Sequence, residues 1–205
     1  MATKAKEPKR KMKAGFQTRT NIMIIVVSIL VSAALILGVL YLFGIRYVKY
    51  RFDTGFSVSF VGILNSDGMP ATGRISYGGD DAVKGLTAAY NAEDDTLEYS
   101  NGDVYKGEVK HLVKHGTGTL TRENGDVYEG EFYEDRQHGQ GKCTYANGDV
   151  YEGEYENGNK SGNGTYTWAD GSVYTGTFKD DLKDGEGTHT MADGSSYTGS
   201  YSKGA

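Results

Sequence analysis

The residues with the most chemistry to offer are aromatic. Tyr105, Tyr128, Tyr151, Tyr174 and Tyr197 recur every 23 residues, and Phe132, Tyr155, Phe178, Tyr201, Tyr166 and Trp168 keep step with them. Rings set in rows can take up an apolar partner segment or stack on sugar rings, so these positions form the candidate binding face. The same rings are the only core material such a chain possesses, and packing competes with binding at each of them. Glu108, Glu129, Glu131, Glu152 and Glu154 make an acidic stripe on the opposite face. That stripe is expected to be solvated and to discourage edge pairing.

Catalytic chemistry finds little support. His111 and His115 lack a second pair of ligands for zinc, and there is no DxDxDG loop for calcium. Cys143 alternates inward and reads as a small packed thiol. The glycine-rich strings do not precede helices, so they form no phosphate cradle. No nucleophile–base constellation is present. The expectation is therefore no enzyme, no metal and no cofactor. Asn159-Lys160-Ser161 and Asn163-Gly164-Thr165 fit the glycosylation pattern, and chance occurrence explains both.

The rings are positioned by repetition. NGDVYKGEV, NGDVYEGEF, NGDVYEGEY, DGSVYTGTF and DGSSYTGSY begin at Asn101, Asn124, Asn147, Asp170 and Asp193, 23 residues apart. A GxG block recurs in step at Gly116, Gly139, Gly162 and Gly185. Two degenerate copies stand upstream, with Phe60-Val61-Gly62 and Val83-Lys84-Gly85 in the Tyr-x-Gly slot. Atypical first copies are expected where a repeat array is capped. Within each unit the period is two: Gly139, Gly141, Cys143 and Tyr145, then Tyr151, Gly153 and Tyr155, alternate with polar residues. That pattern is an antiparallel hairpin with one aromatic, glycine-rich face.

Asn-Gly usually marks a two-residue hairpin loop. Such a loop at 124–125 would split the aromatic set between faces, so the pattern selects an odd-length loop. Glu123–Gly125 and Asn124–Asp126 both satisfy it. With the latter, Phe132 faces Gly118 and Leu120 faces Gly130, each bulky group over a glycine.

The 205 residues include 30 glycines, 2 prolines and 1 cysteine, which excludes a collagen-like chain and an internal disulfide framework. Of 22 bases and 27 acids, ten bases and one acid lie in the first 51 residues. Residues 53–205 therefore hold 12 bases against 26 acids, a balance of −14. Such a surface repels phosphate backbones, so nucleic acid is not an expected partner. Residues 21–45 carry no charge and are long enough to span a bilayer, for which roughly 20 residues suffice. A cleaved signal peptide is the competing reading, because Ser32-Ala33-Ala34 mimics a cleavage site. The apolar run continues beyond it, which favours an uncleaved anchor. Seven bases precede the span and Arg46, Lys49 and Arg51 follow it. The positive-inside rule then places the N-terminus in the cytoplasm and the repeats beyond the bilayer.

The strings YEGEF, YEGEY and YTGTF, followed by GxG and an NG or DG turn, strongly resemble the MORN (membrane occupation and recognition nexus) repeat family. The resemblance covers about 57–205, and departs from the pattern at Phe60 and Val83 in the tyrosine slot and at Glu93 and Asp95 in the first GxG slots. It implies an all-β repeat array, a single antiparallel sheet of β-hairpins, that mediates protein association, scaffolding or lipid contact and is not an enzyme. The expected organisation is a basic disordered tail over 1–20, a transmembrane helix over 21–45 and a juxtamembrane linker over 46–56. Degenerate capping repeats over 57–100 and MORN-like repeats over 101–205 follow. The functional reading is a single-pass membrane protein that scaffolds an unidentified protein partner, with a lipid- or glycan-binding module as the alternative. A terminal strand near Ser195–Ser202 offers an edge for a homodimer.

Overall fold

The computed structural model describes residues 9–53, 56–78 and 86–204, with side chains from Ile25 onward. The degenerate copy at Val83, Lys84 and Gly85 lies outside the described residues. The chain divides into two units, residues 1–46 and 47–205.

The first unit is dominated by helix α1, Lys9–Leu42. It begins inside the segment expected to be disordered. Residues 9–20 are mostly Lys, Arg, Met, Ala and Gln, good helix formers with no proline among them, and they extend the apolar helix toward the N-terminus. The helix stops three residues before the expected end of the span. Gly44 takes a left-handed conformation (φ 76°) and its amide bonds the Tyr41 carbonyl at 3.1 Å, a glycine C-terminal cap. The Arg46 guanidinium donates to the same Tyr41 carbonyl at 2.9 Å and lies 3.7 Å from the centre of the Tyr41 ring. Ile29, Leu35, Leu37 and Leu42 are exposed, and the stretch Ile25–Leu42 is long and apolar enough to cross a membrane. A membrane anchor and a signal sequence both have this character.

The second feature is one open antiparallel sheet of 14 strands in chain order. The strands are β1 (Ile45–Arg51), β2 (Ser57–Leu64), β3 (Pro70–Gly78), β4 (Thr87–Asn91), β5 (Thr96–Tyr99), β6 (Val104–Lys110) and β7 (Val113–Thr121). They continue with β8 (Val127–Tyr133), β9 (Arg136–Thr144), β10 (Val150–Glu156), β11 (Asn159–Thr167), β12 (Val173–Lys179), β13 (Leu182–Thr190) and β14 (Ser196–Tyr201). The expected linker over 46–56 is therefore largely strand β1. Its alternation of Arg46, Val48 and Tyr50 with exposed Tyr47, Lys49 and Arg51 suits a sheet, and Val48 and Tyr50 pack on the core.

The loop after each GxG strand is odd, as the face pattern requires. Thr121 pairs with Val127, and the Arg122 amide bonds the Asp126 carbonyl at 2.8 Å, which leaves Glu123–Gly125 as the loop. Gly125 takes φ 93°. This choice corrects the pairing expected from Asn124–Asp126: Leu120 faces Tyr128, Gly118 faces Gly130 and Phe132 faces Gly116. The two-residue left-handed turns sit at the other end of each hairpin. His111-Leu112, Glu134-Asp135, Asn157-Gly158 and Asp180-Asp181 all have both φ angles positive. Backbone bonds between successive turns hold them, as from the Asp135 amide to the Lys114 carbonyl at 3.0 Å.

Glycine facing glycine explains the core. Gly130 pairs with Gly118 on one side and with Gly141 on the other, and Tyr128 lies flat across this row. A Cβ placed on Gly141 would stand 2.3–2.5 Å from the Tyr128 ring and hydroxyl. The same arrangement sets Tyr105 over Gly118, Tyr151 over Gly164 and Tyr174 over Gly187. Phe60 lies likewise over Gly62 and Gly73, so the degenerate copy keeps the ring-over-glycine geometry without a hydroxyl.

A second row of rings then bridges successive units edge-to-face. Phe132 meets Tyr105 and Tyr128 at 5.1 and 5.0 Å, Tyr155 meets Tyr128 and Tyr151, and Phe178 meets Tyr151 and Tyr174. Each such pair contributes roughly 0.5–1.5 kcal/mol beyond its buried area. This zipper is the nearest-neighbour coupling of the array.

Gly141→Val is expected to destabilise the protein by about 3 kcal/mol, because the buried Tyr128 ring occupies the space a side chain needs. Gly125→Ala meets only an Ala146 methyl at 3.4 Å and carries the left-handed penalty alone, about 1–2 kcal/mol. Chemical denaturation of the two variants measures the difference.

Candidate functional site

Each unit places its tyrosine at the foot of a β-bulge. Beyond Gly130↔Gly141 the pairing resumes at Glu131↔His138, so β9 carries two more residues than β8. The first glycine of GxG absorbs this excess in a left-handed conformation, φ 59° at Gly139. The second glycine lies under the tyrosine ring. The two glycines of GxG therefore do different work. The bulge also frees a carbonyl, and the tyrosine hydroxyl caps it: Tyr105 to Glu108 at 2.8 Å, Tyr128 to Glu131 at 2.9 Å and Tyr151 to Glu154 at 2.9 Å. Burial raises these phenols above the ordinary tyrosine range, so they remain neutral donors.

The acidic stripe is a solvated face, with Glu154 alone of the five half-buried, yet three of its carboxylates also engage the backbone. Glu108, Glu131 and Glu154 turn their carboxylates onto the bulge and accept the amides of Thr117, Gln140 and Asn163 at 2.8–3.0 Å. Those carboxylates occupy the space beside Gly116, Gly139 and Gly162 where a Cβ would project. Glu129 and Glu152 are exposed. In the fourth unit Thr177 replaces the glutamate, and its hydroxyl bonds the Asp184 carbonyl.

A third contact staples unit to unit. Asp103, Asp126 and Asp149 accept the amides of Glu123, Ala146 and Ala169 in the next loop at 2.9–3.0 Å. The Ala146 amide chiefly, then the Asn124 side chain, holds the Asp126 carboxyl below its ordinary range. For Asp149 the Tyr166 hydroxyl at 2.7 Å is the larger cause and the Ala169 amide the second. Ser172 stands at the corresponding position of the following unit.

Of the candidate face, Tyr105, Tyr128, Tyr151, Tyr174, Phe132, Tyr155 and Phe178 are closed to solvent, all at 5% exposure or less. Their work is packing. Tyr166, Trp168 and Tyr201 are half-buried, and Tyr197 is 53% exposed. The accessible part of the face thus lies toward β14. Tyr166 and Trp168 have centroids 4.7 Å apart, Tyr145 lies 6.1 Å from Tyr166, and His189 lies 4.9 Å from Trp168.

Lys160 and Lys183 reach over the same rings. The Lys160 ammonium lies 5.5 Å from the Tyr166 centroid, and that of Lys183 lies 4.6 Å from Trp168 and 4.7 Å from Tyr174. Sequence reasoning missed both lysines. Carrying the inward alternation two residues upstream of GxG would have found them, since the bulge preserves parity.

The other chemical candidates are structural or isolated. Cys143 is 4% exposed between Tyr128 and Tyr151, and burial raises its thiol. His111 sits in a turn beside Tyr50 and Phe52, whereas His115 packs on Tyr133. Among the described residues no group of three His, Cys, Asp or Glu side chains is placed to hold a metal.

The MORN repeat family model matches residues 105–127, 128–150, 151–173 and 174–196, four consecutive units in the register of the bulges and staples. Residues 105–196 are MORN repeats. The chain matches no curated protein. Among solved structures it is similar to the wild-type TCP10 domain of Danio rerio CPAP in complex with a peptide of Danio rerio STIL, at 13% identity. That alignment covers 76% of this chain and 100% of that one at a TM-score of 0.26, too slight a likeness to bear on function.

The MORN staples carry a pH dependence. A carboxyl held below its unfolded value stabilises the fold fully above about pH 4, and that contribution is lost as pH falls through the folded value. Asp149→Asn should lower the Tm at neutral pH and flatten its decline between about pH 5 and pH 2. Ser172→Asp should install the missing staple onto the Ala192 amide, adding about 1 kcal/mol to the last unit. Slower hydrogen exchange at Ala192 would report it.

Proposed function

We propose that this chain is a single-pass membrane protein whose MORN array holds a partner protein at the membrane surface. The observation that carries the reading is the change along the aromatic face. In one row Tyr99 and Arg122 give way to Tyr145, Trp168 and Met191, and in the next Leu97, Leu120 and Cys143 give way to Tyr166 and His189. The first row ends in exposed Met191, at 48%, and the Tyr105 series ends in exposed Tyr197, at 53%. Large aromatic and methionine side chains left open on one patch are the usual material of protein interfaces. The MORN repeat is a non-catalytic module, in keeping with this role.

Anchoring rests on the helix at Ile25–Leu42. The seven bases before residue 20 favour a cytoplasmic N-terminus, and Tyr41 with Arg46 would sit at the far interface, where aromatic and basic side chains are favoured. The array would then lie outside the cytoplasm. Its acidic balance opposes anionic lipid. A neutral glycan is the competing ligand, but Tyr166 and Trp168 are inclined at 50° and offer no flat platform.

The full chain should resist alkaline extraction from membranes, and protease added to intact cells should digest the repeats while sparing the N-terminal segment. Partner recovery from detergent extract should fall at least about tenfold in Trp168→Ala, beyond the roughly 1.4 kcal/mol that marks a substantial interface contact. Glu129→Gln should leave it unchanged. Sedimentation with liposomes or cell-wall material and no protein recovered would overturn the scaffold reading.

A further inference from the structure

The inward lysines follow a rule that one of them breaks. Positions 114, 137, 160 and 183 hold Lys, Gln, Lys and Lys, and positions 135, 158, 181 and 204, in the next left-handed turn, hold Asp, Gly, Asp and Gly. The Lys114 ammonium meets the Asp135 carboxylate at 2.6 Å, and Lys160 meets Asp181 at 3.8 Å. Gln137 and Gly158 make a neutral pair. Lys183 alone faces a glycine where its charge calls for an acid.

Among the described residues the Lys183 ammonium makes no ion pair and no hydrogen bond. It lies over Trp168, Tyr174 and Tyr201 at 4.6, 4.7 and 5.5 Å. Burial beside these rings lowers its affinity for a proton. Nearby, the Nε2 atom of His189 is buried without a partner among the described residues, and its ring lies 4.9 Å from Trp168. One half-open tryptophan thus carries, on the same stretch of the face, a solvent-reached ammonium with no acid opposite it and a buried imidazole nitrogen that no described residue satisfies, whereas buried polar groups ordinarily are satisfied.

We infer that Lys183, Trp168 and His189 form a seat for a single side-chain carboxylate, an Asp or Glu flanked by apolar residues on the partner protein. The inference rests on the scaffold reading and deepens it. The internal precedent defines the ligand: in two earlier units the same ammonium meets one aspartate from a neighbouring turn and donates to a tyrosine hydroxyl, Tyr99 or Tyr145, at the slot where Trp168 stands, so Lys183 lacks both. The surroundings limit its charge: Asp180, Asp181 and Asp184 flank Lys183 in sequence, and residues 53–205 carry −14. A phosphate or a polyanion meets this repulsion at every further charge, whereas one carboxylate cancels one ammonium. The apolar neighbours of the acid lie on Trp168 and Met191.

Trp168 is the chain's one tryptophan, so its fluorescence reports on the seat directly. The full chain in detergent micelles is titrated with the end-blocked tripeptide leucyl-aspartyl-leucine and with its asparaginyl counterpart. The acidic peptide should produce a saturable change in emission, and the neutral one should bind at least tenfold more weakly. Lys183→Gln should abolish the discrimination while keeping the fold, because glutamine already occupies this slot at position 137. Gly204→Asp should also abolish it by supplying the missing internal carboxylate, and its far-ultraviolet circular dichroism should match that of the parent. Equal responses to the two peptides, or discrimination surviving either variant, would overturn the seat. Partner recovery that depends on Trp168 but not on Lys183 would overturn it as well, and would leave the scaffold reading standing.

Discussion

A tyrosine ring laid flat across a row of glycines is the contact on which this array depends. A single-layer sheet has no second layer to press against, so it must bury its apolar surface within its own thickness. Glycine pairs such as Gly130 and Gly141 create the depth, since their missing Cβ atoms let the Tyr128 ring settle onto the backbone. The hydroxyl then reaches the carbonyl that the bulge has released, at 2.9 Å on Glu131. Ring, glycine and bulge are therefore one device. Removing the bulge would leave the phenol buried without an acceptor, and filling a glycine would lift the ring away from it.

This device explains how much of the fold the sequence disclosed. Tyrosine and glycine at constant spacing can be read because the geometry demands those two residues and tolerates few others. The odd loop was legible for the same reason, since an even one would have divided the rings between faces. The acidic stripe is solvated as its alternation implies, but alternation does not report what each carboxylate touches. Glu131 and Glu129 are both exposed on one face, yet Glu131 closes a bulge and Glu129 does not. The left-handed turns escaped notice because Glu134 and Asp135 carry no glycine signature. Tertiary backbone bonds hold them there against local preference. Strand β1 is hard to tell from a linker because a seven-residue alternation beside a charge-free span resembles a flank.

The candidate site was less legible than the fold, and the reason is physical. In a repeat of this kind the same rings serve as core and as surface, and a ring's fate depends on whether the next unit covers it. Tyr105 and Tyr174 are alike in sequence context and both are buried, because Phe132 and Tyr201 lie against them. Tyr197 occupies the same slot and is exposed. Periodicity assigns all of these positions one role, whereas burial divides them into two.

Function in such an array is expected where repetition fails. Strict repetition satisfies its charged groups internally: glutamate on bulge amide, aspartate on the next loop, lysine on the turn carboxylate. Ser172, Thr177 and Gly204 each withdraw one of these acids, and all three fall in the last units of the sheet. Withdrawing an acid leaves its former partner available to something else. The same stretch exchanges leucine for tyrosine and histidine on the face above, which adds ring surface beside the unsatisfied groups. Loss of internal satisfaction and gain of accessible aromatic surface thus coincide at one end of the array. A unit optimised only for stability would keep its carboxylates, so the proposed partner role draws its support from this end of the sheet, where self-sufficiency lapses.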